Sequence, residues 1–570
     1  MPRSSAVPLP GTLTTALGVT VVAAALAYAA TVTFGFVWDD THLIADSTFV
    51  RQPSVVPVLT TQFWQEGEQT DLYRPLVSLS YFLEFRAWGT MPAGYHATNV
   101  AAHAAASAMV AWTAWLLFGG TLGAAGAGLV FALHPIHTES VAFISGRPDL
   151  FAAALALAAL AAHIRRRREV PVAGPLLLGL ALFCKETALT VPAALVAYEL
   201  TLGRSAFDRV ASTGQRVVRL WPYAGVTGLV LAARWLVLGT PLGRATDATP
   251  PSTRAAMTAD AAADYLRWLV FPWPPAPHRL VGTEAAVIGG LLVGVIALAT
   301  VLAWRRSRVP AFLCCWFALT LAPTLPLVLG RAPQVAERFL YIPSIAFAWL
   351  CGWGLATARD RLRARPRALQ LGAAAVALAV GVGALTVTMA RAADWQDELH
   401  LFTRMTRSEP RSSVGHVNLG YVHDRAGDSR RAAEEFRAAL ALRPDSGPAL
   451  LGLALTESRR GAHAEAIAYA ERARAVDGRG EFVHAQLGAI YGMAGQFDDA
   501  AASSREAIRR NPRRLRPYLN LAFALADGGH AAEARQALGD AERVAASTMA
   551  ADTAELRTLM HLRHRLQGRP

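Results

Sequence analysis

Residues 183–200 read FCKETALTVPAALVAYEL. Lys185 is the single lysine of the chain, and Glu186 follows it directly. Both stand between two apolar runs, 171–184 and 187–202. Charged groups at a membrane segment are costly, and by default they mark a functional site. An interfacial lysine that snorkels is the plainer reading. Against it, every other basic residue here is arginine, which snorkels equally well.

Working outward, the chain has 570 residues, of which 53% are apolar and 17% charged. A soluble domain carries roughly 25% charged residues. Long apolar runs lie near 12–36, 98–118, 122–136, 149–164, 171–184, 187–202, 220–238, 284–304, 309–329, 340–357 and 368–390. A hydrocarbon core of ~30 Å needs about 20 helical residues, so several runs are short. The shorter ones are read as broken or re-entrant helices, tolerated where they line a cavity. The expected architecture is all-α: a polytopic membrane domain over 1–390, a linker or half repeat over 391–412, and a helical soluble part beyond.

Arginines gather in alternate loops, at 165–168, 204–216, 305–308 and 359–367. The positive-inside rule makes that side cytoplasmic, with the N-terminus inside and the C-terminal part periplasmic or extracellular, in an inner-membrane protein. The first apolar run is long for a signal-peptide core, so it is read as an anchor. Topology also accounts for much of the net charge of +13, which removes the nucleic-acid reading. Cys184, Cys314, Cys315 and Cys351 all fall in apolar runs and read as inert thiols. Trp64, Trp88, Trp268 and Trp273 read as interfacial-belt residues.

On this topology the unusual polar residues fall on the outer side. FVWDDTHLIAD supplies Asp39, Asp40 and His42. The first outer loop and the segment closing it add Arg74, Tyr95, His96, Asn99 and His103. LHPIHTESVAFISGRPDL brings His134, His137, Glu139, Arg147 and Asp149. Lys185 and Glu186 follow, and AERFLYIPS adds Arg338 and Tyr341. Such spacing of two His and a Glu in HPIHTE can ligate zinc, but Pro135 breaks the helix that would align them. Hydrogen bonding or substrate contact is the preferred reading, and no metal ligands are assigned. Outward carboxylates beside Arg, Lys and His suit group transfer from a lipid-linked phosphosugar. A carboxylate serves as general base for an acceptor hydroxyl, and cations stabilise the departing phosphate.

FVWDD, YRPLVSLSY, GYHATNVAAH, HPIHTESVAFISGRPDL, CKETALTVPAAL and ERFLYIPS, in that order, resemble the transmembrane-and-tetratricopeptide-repeat O-mannosyltransferases and their bacterial relatives. Those are polytopic glycosyltransferases of the GT-C fold. The resemblance covers about residues 10–390. It implies a polyprenyl-phosphate sugar donor, a mannose-like sugar and inversion at the sugar carbon. It points to Asp39 as base, with Asp40 assisting or binding acceptor. Arg74, Arg147, Lys185 and Arg338 become candidates for the donor phosphate, and His96, His134, His137, Glu139, Asp149, Glu186 and Tyr341 for the site lining. GT-C enzymes differ on metal, so a divalent cation stays open as cofactor.

The soluble part has a period of its own. Leu419-Gly420, Leu453-Ala454, Leu487-Gly488 and Leu521-Ala522 recur every 34 residues. Gly427, Gly461, Gly495 and Gly529 keep the same register, as do Ala432, Ala466, Ala500 and Ala534. This is the tetratricopeptide period, a helix–turn–helix unit. Four units are expected over 413–548 and a capping helix over 549–570, forming a groove for a protein or peptide acceptor or for a partner. Two other readings remain: the same chemistry on a lipid or polysaccharide, or a non-catalytic anchored scaffold.

Overall fold

The computed structural model describes residues 11–47, 49–51, 54–64, 71–165, 172–203, 214, 218–240, 249–272, 279–326, 334–476, 478, 480–547 and 553–567. Trp273 and the arginines at 166–168, 204, 209 and 216 lie outside them. The helices group into two compact units, Met1–Asp40 with Val56–Phe63 and Thr70–Asp397, and Thr41–Val55 with Trp64–Gln69 and Glu398–Pro570.

Each of the eleven apolar runs carries a helix in the first unit. In chain order, with two further helices included, they are α1 (Gly11–Tyr28), α2 (Pro75–Trp88), α3 (Pro92–Phe118), α4 (Thr121–Leu133), α5 (Arg147–Arg165), α6 (Ala173–Cys184), α7 (Val191–Thr201), α8 (Trp221–Leu238), α9 (Pro251–Val270), α10 (Ala286–Arg306), α11 (Arg308–Leu321), α12 (Ser344–Leu362) and α13 (Arg367–Ala392). Among the described residues, five helical stretches are long and apolar enough to cross a membrane: Gly11–Thr33, Pro92–Phe118, Ile144–Arg165, Trp221–Leu238 and Arg367–Trp395. The chain is a membrane protein.

Side-chain size decides which faces turn inward. Helix α1 buries Leu13, Ala16, Thr20, Ala24 and Ala27 and exposes Val19, Val22 and Leu26. That narrow stripe of mostly small residues lets α1 lie close to α3 and α4. Helices α4 and α12 meet at Gly123 and Gly352, where a Cβ on Gly352 would strike the Gly123 carbonyl oxygen. Membrane helices associate through such small-residue contacts, because lipid gives apolar surface no reason to leave it. The outer surface is apolar in turn: Leu291 and Val295 on α10, and Leu371, Val376, Leu378 and Val380 on α13, are exposed.

Beside Gly119 and Gly120, both at positive φ, the chain reverses from α3 into α4. The one exception to the all-α expectation among the described residues is a two-residue antiparallel ladder, β1 (Arg279–Leu280) on β2 (Gln334–Val335). It closes a buried cluster containing Ile136, Tyr265, Trp268, Leu321, Val335 and Leu340. Trp268 is therefore a core residue, not a belt residue. Its ring packs edge-on to Tyr265 beneath the segment that carries Arg338.

In the second unit a helix at Glu398–Ser408 precedes four helix pairs: Ser413–Arg425 with Ser429–Leu442, Gly447–Arg459 with His463–Val476, Glu481–Met493 with Phe497–Arg510, and Leu515–Asp527 with Ala531–Ser547. A last helix, Thr553–Gln567, follows. Each turn uses its glycine at positive φ, from 75° at Gly495 to 84° at Gly529. Ala432, Ala466, Ala500 and Ala534 are wholly buried where paired helices touch. Leu442 and Arg510 end their helices two residues before Pro444 and Pro512, which cannot continue them.

Candidate active site

Helix ends of the first unit bring the polar motifs together. Asp39 and Asp40 follow α1, Arg74 caps the start of α2, and Glu139 lies between α4 and α5. Asp149 opens α5, Lys185 and Glu186 follow α6, and Arg338 precedes α12.

Three ion pairs organise the cluster. The Lys185 ammonium donates to both oxygens of Asp149 at 2.6 Å. Arg74 makes a fork with Glu186, at 3.1 Å from Nε and 2.7 Å from Nη2. Arg338 binds Glu139 through its own backbone N–H, at 2.8 Å, and through its guanidinium. Lys185 Nζ and the Arg338 guanidinium both lie over the Phe339 ring, at 5.9 and 5.2 Å. Burial works against the Arg338 charge. Glu139 outweighs it, Asp39 and Asp149 add to that, and the guanidinium is held above its ordinary range. Asp39, Glu139, Asp149, Lys185 and Arg338 thus share one electrostatic environment.

The adjacent residues Lys185 and Glu186 serve different partners. Lys185 is extended, with φ −156° and ψ 138°, and Glu186 begins a 3-10 turn. Successive side chains of an extended chain point to opposite sides. Hence Lys185 turns to α5 and Glu186 to Arg74.

The two carboxylates of the WDD motif differ as much. Asp40 is wholly buried. Its Oδ1 accepts from the Ser145 backbone N–H at 2.8 Å and the Ser145 hydroxyl at 2.6 Å, and its Oδ2 accepts from the Val37 N–H at 3.3 Å. Asp39 is half-buried. Asp40 therefore fastens the loop, and Asp39 is the carboxylate whose charge reaches Arg338.

Burial pushes the Asp40 carboxyl up to about 7 against the hydrogen bonds from Ser145 and Val37, with Asp39 adding repulsion. Its ordinary value is 3.8, so between the two the folded protein holds a proton that the unfolded chain has lost. Stability owed to this group is complete below the lower value and falls as pH rises through the upper one. The midpoint of thermal unfolding in detergent is expected to fall from about pH 5 to about pH 8, with a shallower slope in Asp40→Asn. Parallel slopes for the two proteins would refute this.

Arg147, expected at the donor phosphate, is instead enclosed by protein. Nε donates to Asn99 Oδ1 at 2.8 Å, Nη2 to the Tyr95 carbonyl at 3.0 Å, and Nη1 to Ser80 at 2.9 Å and to Glu84. Asn99 also donates to the carbonyls of Val141, Phe143 and Ile144. Together they shape the turn that carries Ser145. Ser80 and Glu84 stand four apart on one face of α2, a spacing that sequence reading passed over.

The histidines are also internal. His134 caps the following turn, accepting from the Ile136 N–H at 3.2 Å through Nδ1 and donating to the Leu269 carbonyl at 3.0 Å through Nε2. His137 packs on Phe131 and Tyr341, and the Tyr341 hydroxyl lies 2.7 Å from His103 Nδ1. His96 donates to the Gly35 carbonyl at 3.3 Å. Among the described residues no three His, Cys, Asp or Glu side chains converge to hold a metal ion. A further buried pair, Arg391 with Glu337, went unread, although Glu337 adjoins Arg338 and Arg391 ends the last apolar run. Arg391 also donates to the Pro272 carbonyl at 3.0 Å.

This chain resembles known proteins over most of its length. It is 24% identical over 444 residues to protein O-mannosyl-transferase F38B6.6 of Caenorhabditis elegans, covering 72% of this chain and 60% of that protein. It is 24% identical over 460 residues to human protein O-mannosyl-transferase TMTC3, covering 72% and 49%. A stretch of 172 residues is 35% identical to protein O-mannosyl-transferase Tmtc1 of Drosophila melanogaster, covering 29% and 20%. The chain is similar to proteins named protein O-mannosyl-transferases. It spans between 20% and 60% of the length of these three. Residues 415–446 match the tetratricopeptide repeat model. Among solved structures, a thermophilic TPR protein of Thermus thermophilus shares 20% identity at a TM-score of 0.26, over 34% of this chain and 96% of that one.

Proposed function

We propose that the protein is a membrane glycosyltransferase that moves a mannose-like sugar from a polyprenyl-phosphate donor to a Ser or Thr hydroxyl of a protein, on the outer face of the membrane. The carrying observation is the cluster of Asp39, Glu139, Asp149, Lys185 and Arg338, assembled from separate segments at helix ends. The names of its relatives support the reaction class.

In this reaction the acceptor oxygen attacks the sugar carbon from the face opposite the phosphate. The new C–O bond forms as the bond to the phosphate oxygen breaks, which inverts the carbon. Asp39 takes the hydroxyl proton. Lys185 and Arg338 receive the charge that develops on the departing polyprenyl phosphate. Arg74, paired with Glu186 and within electrostatic reach of Asp149, supports them. Asp149 and Glu139 keep the cations oriented until the phosphate takes their place. Arg147 and Asp40 build the frame. The repeat unit binds the acceptor or a partner, so that binding energy away from the reacting atoms positions the hydroxyl.

Deleting the gene is expected to remove hexose from Ser- and Thr-containing peptides of the periplasmic or secreted fraction, read by mass spectrometry. Unchanged peptides with an altered lipid or polysaccharide would transfer the reading to a glycan acceptor.

A further inference from the structure

Trp38 has φ 53°, the one positive φ outside glycine among the described residues. A bulky side chain at such a φ is a conformational outlier, and it persists only where surroundings enforce it. Here the enforcement is visible. The Trp38 ring stacks on Phe143, with centroids 6.0 Å apart and planes at 25°. Phe143 also stacks on Trp395, at 5.1 Å and 29°. Two residues beyond Phe143, Ser145 holds Asp40. Residues 38 and 40 are therefore pinned to residues 143 and 145, and Asp39 is the residue between the pins. On the far side, the Gly35 N–H donates to the Gln396 carbonyl at 3.0 Å, next to Trp395.

We propose that the Trp38–Phe143–Trp395 stack is a positioning device for Asp39: it holds the backbone of Trp38 in its left-handed turn and so aims the carboxylate at the Lys185–Arg338 cations. Trp38 and Trp395 are positioning residues and touch no reacting atom. This rests on the transferase reading for its purpose, but the aim of residue 39 is measurable without it.

Two measurements decide the matter. In the first, Asp39→Cys is labelled by a small anionic thiosulfonate in detergent, with no substrate present. Adding Trp395→Ala is expected to change the labelling rate at least about five-fold, and Trp395→Phe to restore it, because a phenyl ring still stacks. In the second, transfer from polyprenyl-phosphate mannose to a Ser/Thr-rich peptide is followed. Trp395→Ala and Trp38→Gly are expected to lower kcat about ten- to a hundred-fold with the donor KM within about two-fold, and Trp395→Phe to recover most of it. A labelling rate indifferent to Trp395 overturns the proposal whatever the enzyme does. So does a loss of kcat that Trp395→Phe shares equally with Trp395→Ala. A wild-type protein that fails to use this donor while the labelling rates move as stated overturns the transferase reading and leaves the stack's role standing.

Discussion

Asp39→Asn is expected to lower sugar transfer by about 10²–10⁴-fold while leaving donor binding and the thermal midpoint near those of the wild type. The asparagine keeps the shape of the side chain and loses the basic oxygen. Asp39 is half-buried and its charge reaches Arg338, one of the cations proposed for the phosphate. Asp40 gives the opposite expectation. Its oxygens are engaged by Ser145 and Val37 inside the fold. Asp40→Asn sets an amide N–H₂ or a rotated carbonyl against donors already in place, so its first effect is on stability, and activity follows the fraction folded. The comparison is made under single-turnover conditions in detergent, with polyprenyl-phosphate mannose and a Ser/Thr-rich peptide. Transfer within a few-fold of wild type in Asp39→Asn, alongside a stable but inactive Asp40→Asn, would exchange the two roles.

How far the sequence could be read differs between the two units for a physical reason. In the repeats each helix packs on its chain neighbours, so the small residues that permit contact must recur at fixed spacing, and the 34-residue period shows them directly. The apolar runs of the membrane unit likewise announce their helices, since the bilayer forces backbone groups into helical hydrogen bonds. Pairing inside the site was not legible. Lys185 stands beside Glu186 in sequence, yet it meets Asp149, because an extended residue at the end of α6 turns neighbouring side chains apart. Arg147 was a phosphate candidate only through the family resemblance of HPIHTESVAFISGRPDL. Its partners proved to be Asn99, Ser80, Glu84 and the Tyr95 carbonyl, drawn from α2 and α3, tens of residues away in sequence. The left-handed Trp38 carries no composition signal at all, since it is imposed by its stack rather than by a glycine.

The buried Lys185–Asp149 pair allows structure and chemistry to be separated by one set of variants. Its side chains are 7% and 5% exposed, so both charges are largely withdrawn from bulk water. Lys185→Met leaves Asp149 uncompensated and is expected to cost about 3–5 kcal/mol of stability. Removing both charges, as in Lys185→Met with Asp149→Leu, takes away the stranded carboxylate together with the cation. Replacing a whole buried pair by apolar groups is commonly neutral or better, so the double variant is expected to regain most of the lost thermal midpoint. Transfer is expected to stay at least about a hundred-fold down in both, because both lack the Lys185 ammonium that shares the departing phosphate's charge with Arg338. A single-site role for Lys185 in the fold makes the contrary prediction: recovery of the midpoint would bring recovery of turnover. Thermal midpoints and single-turnover rates on the same preparations therefore discriminate, and an active, stable double variant would leave Arg338 and Arg74 as the phosphate's cations.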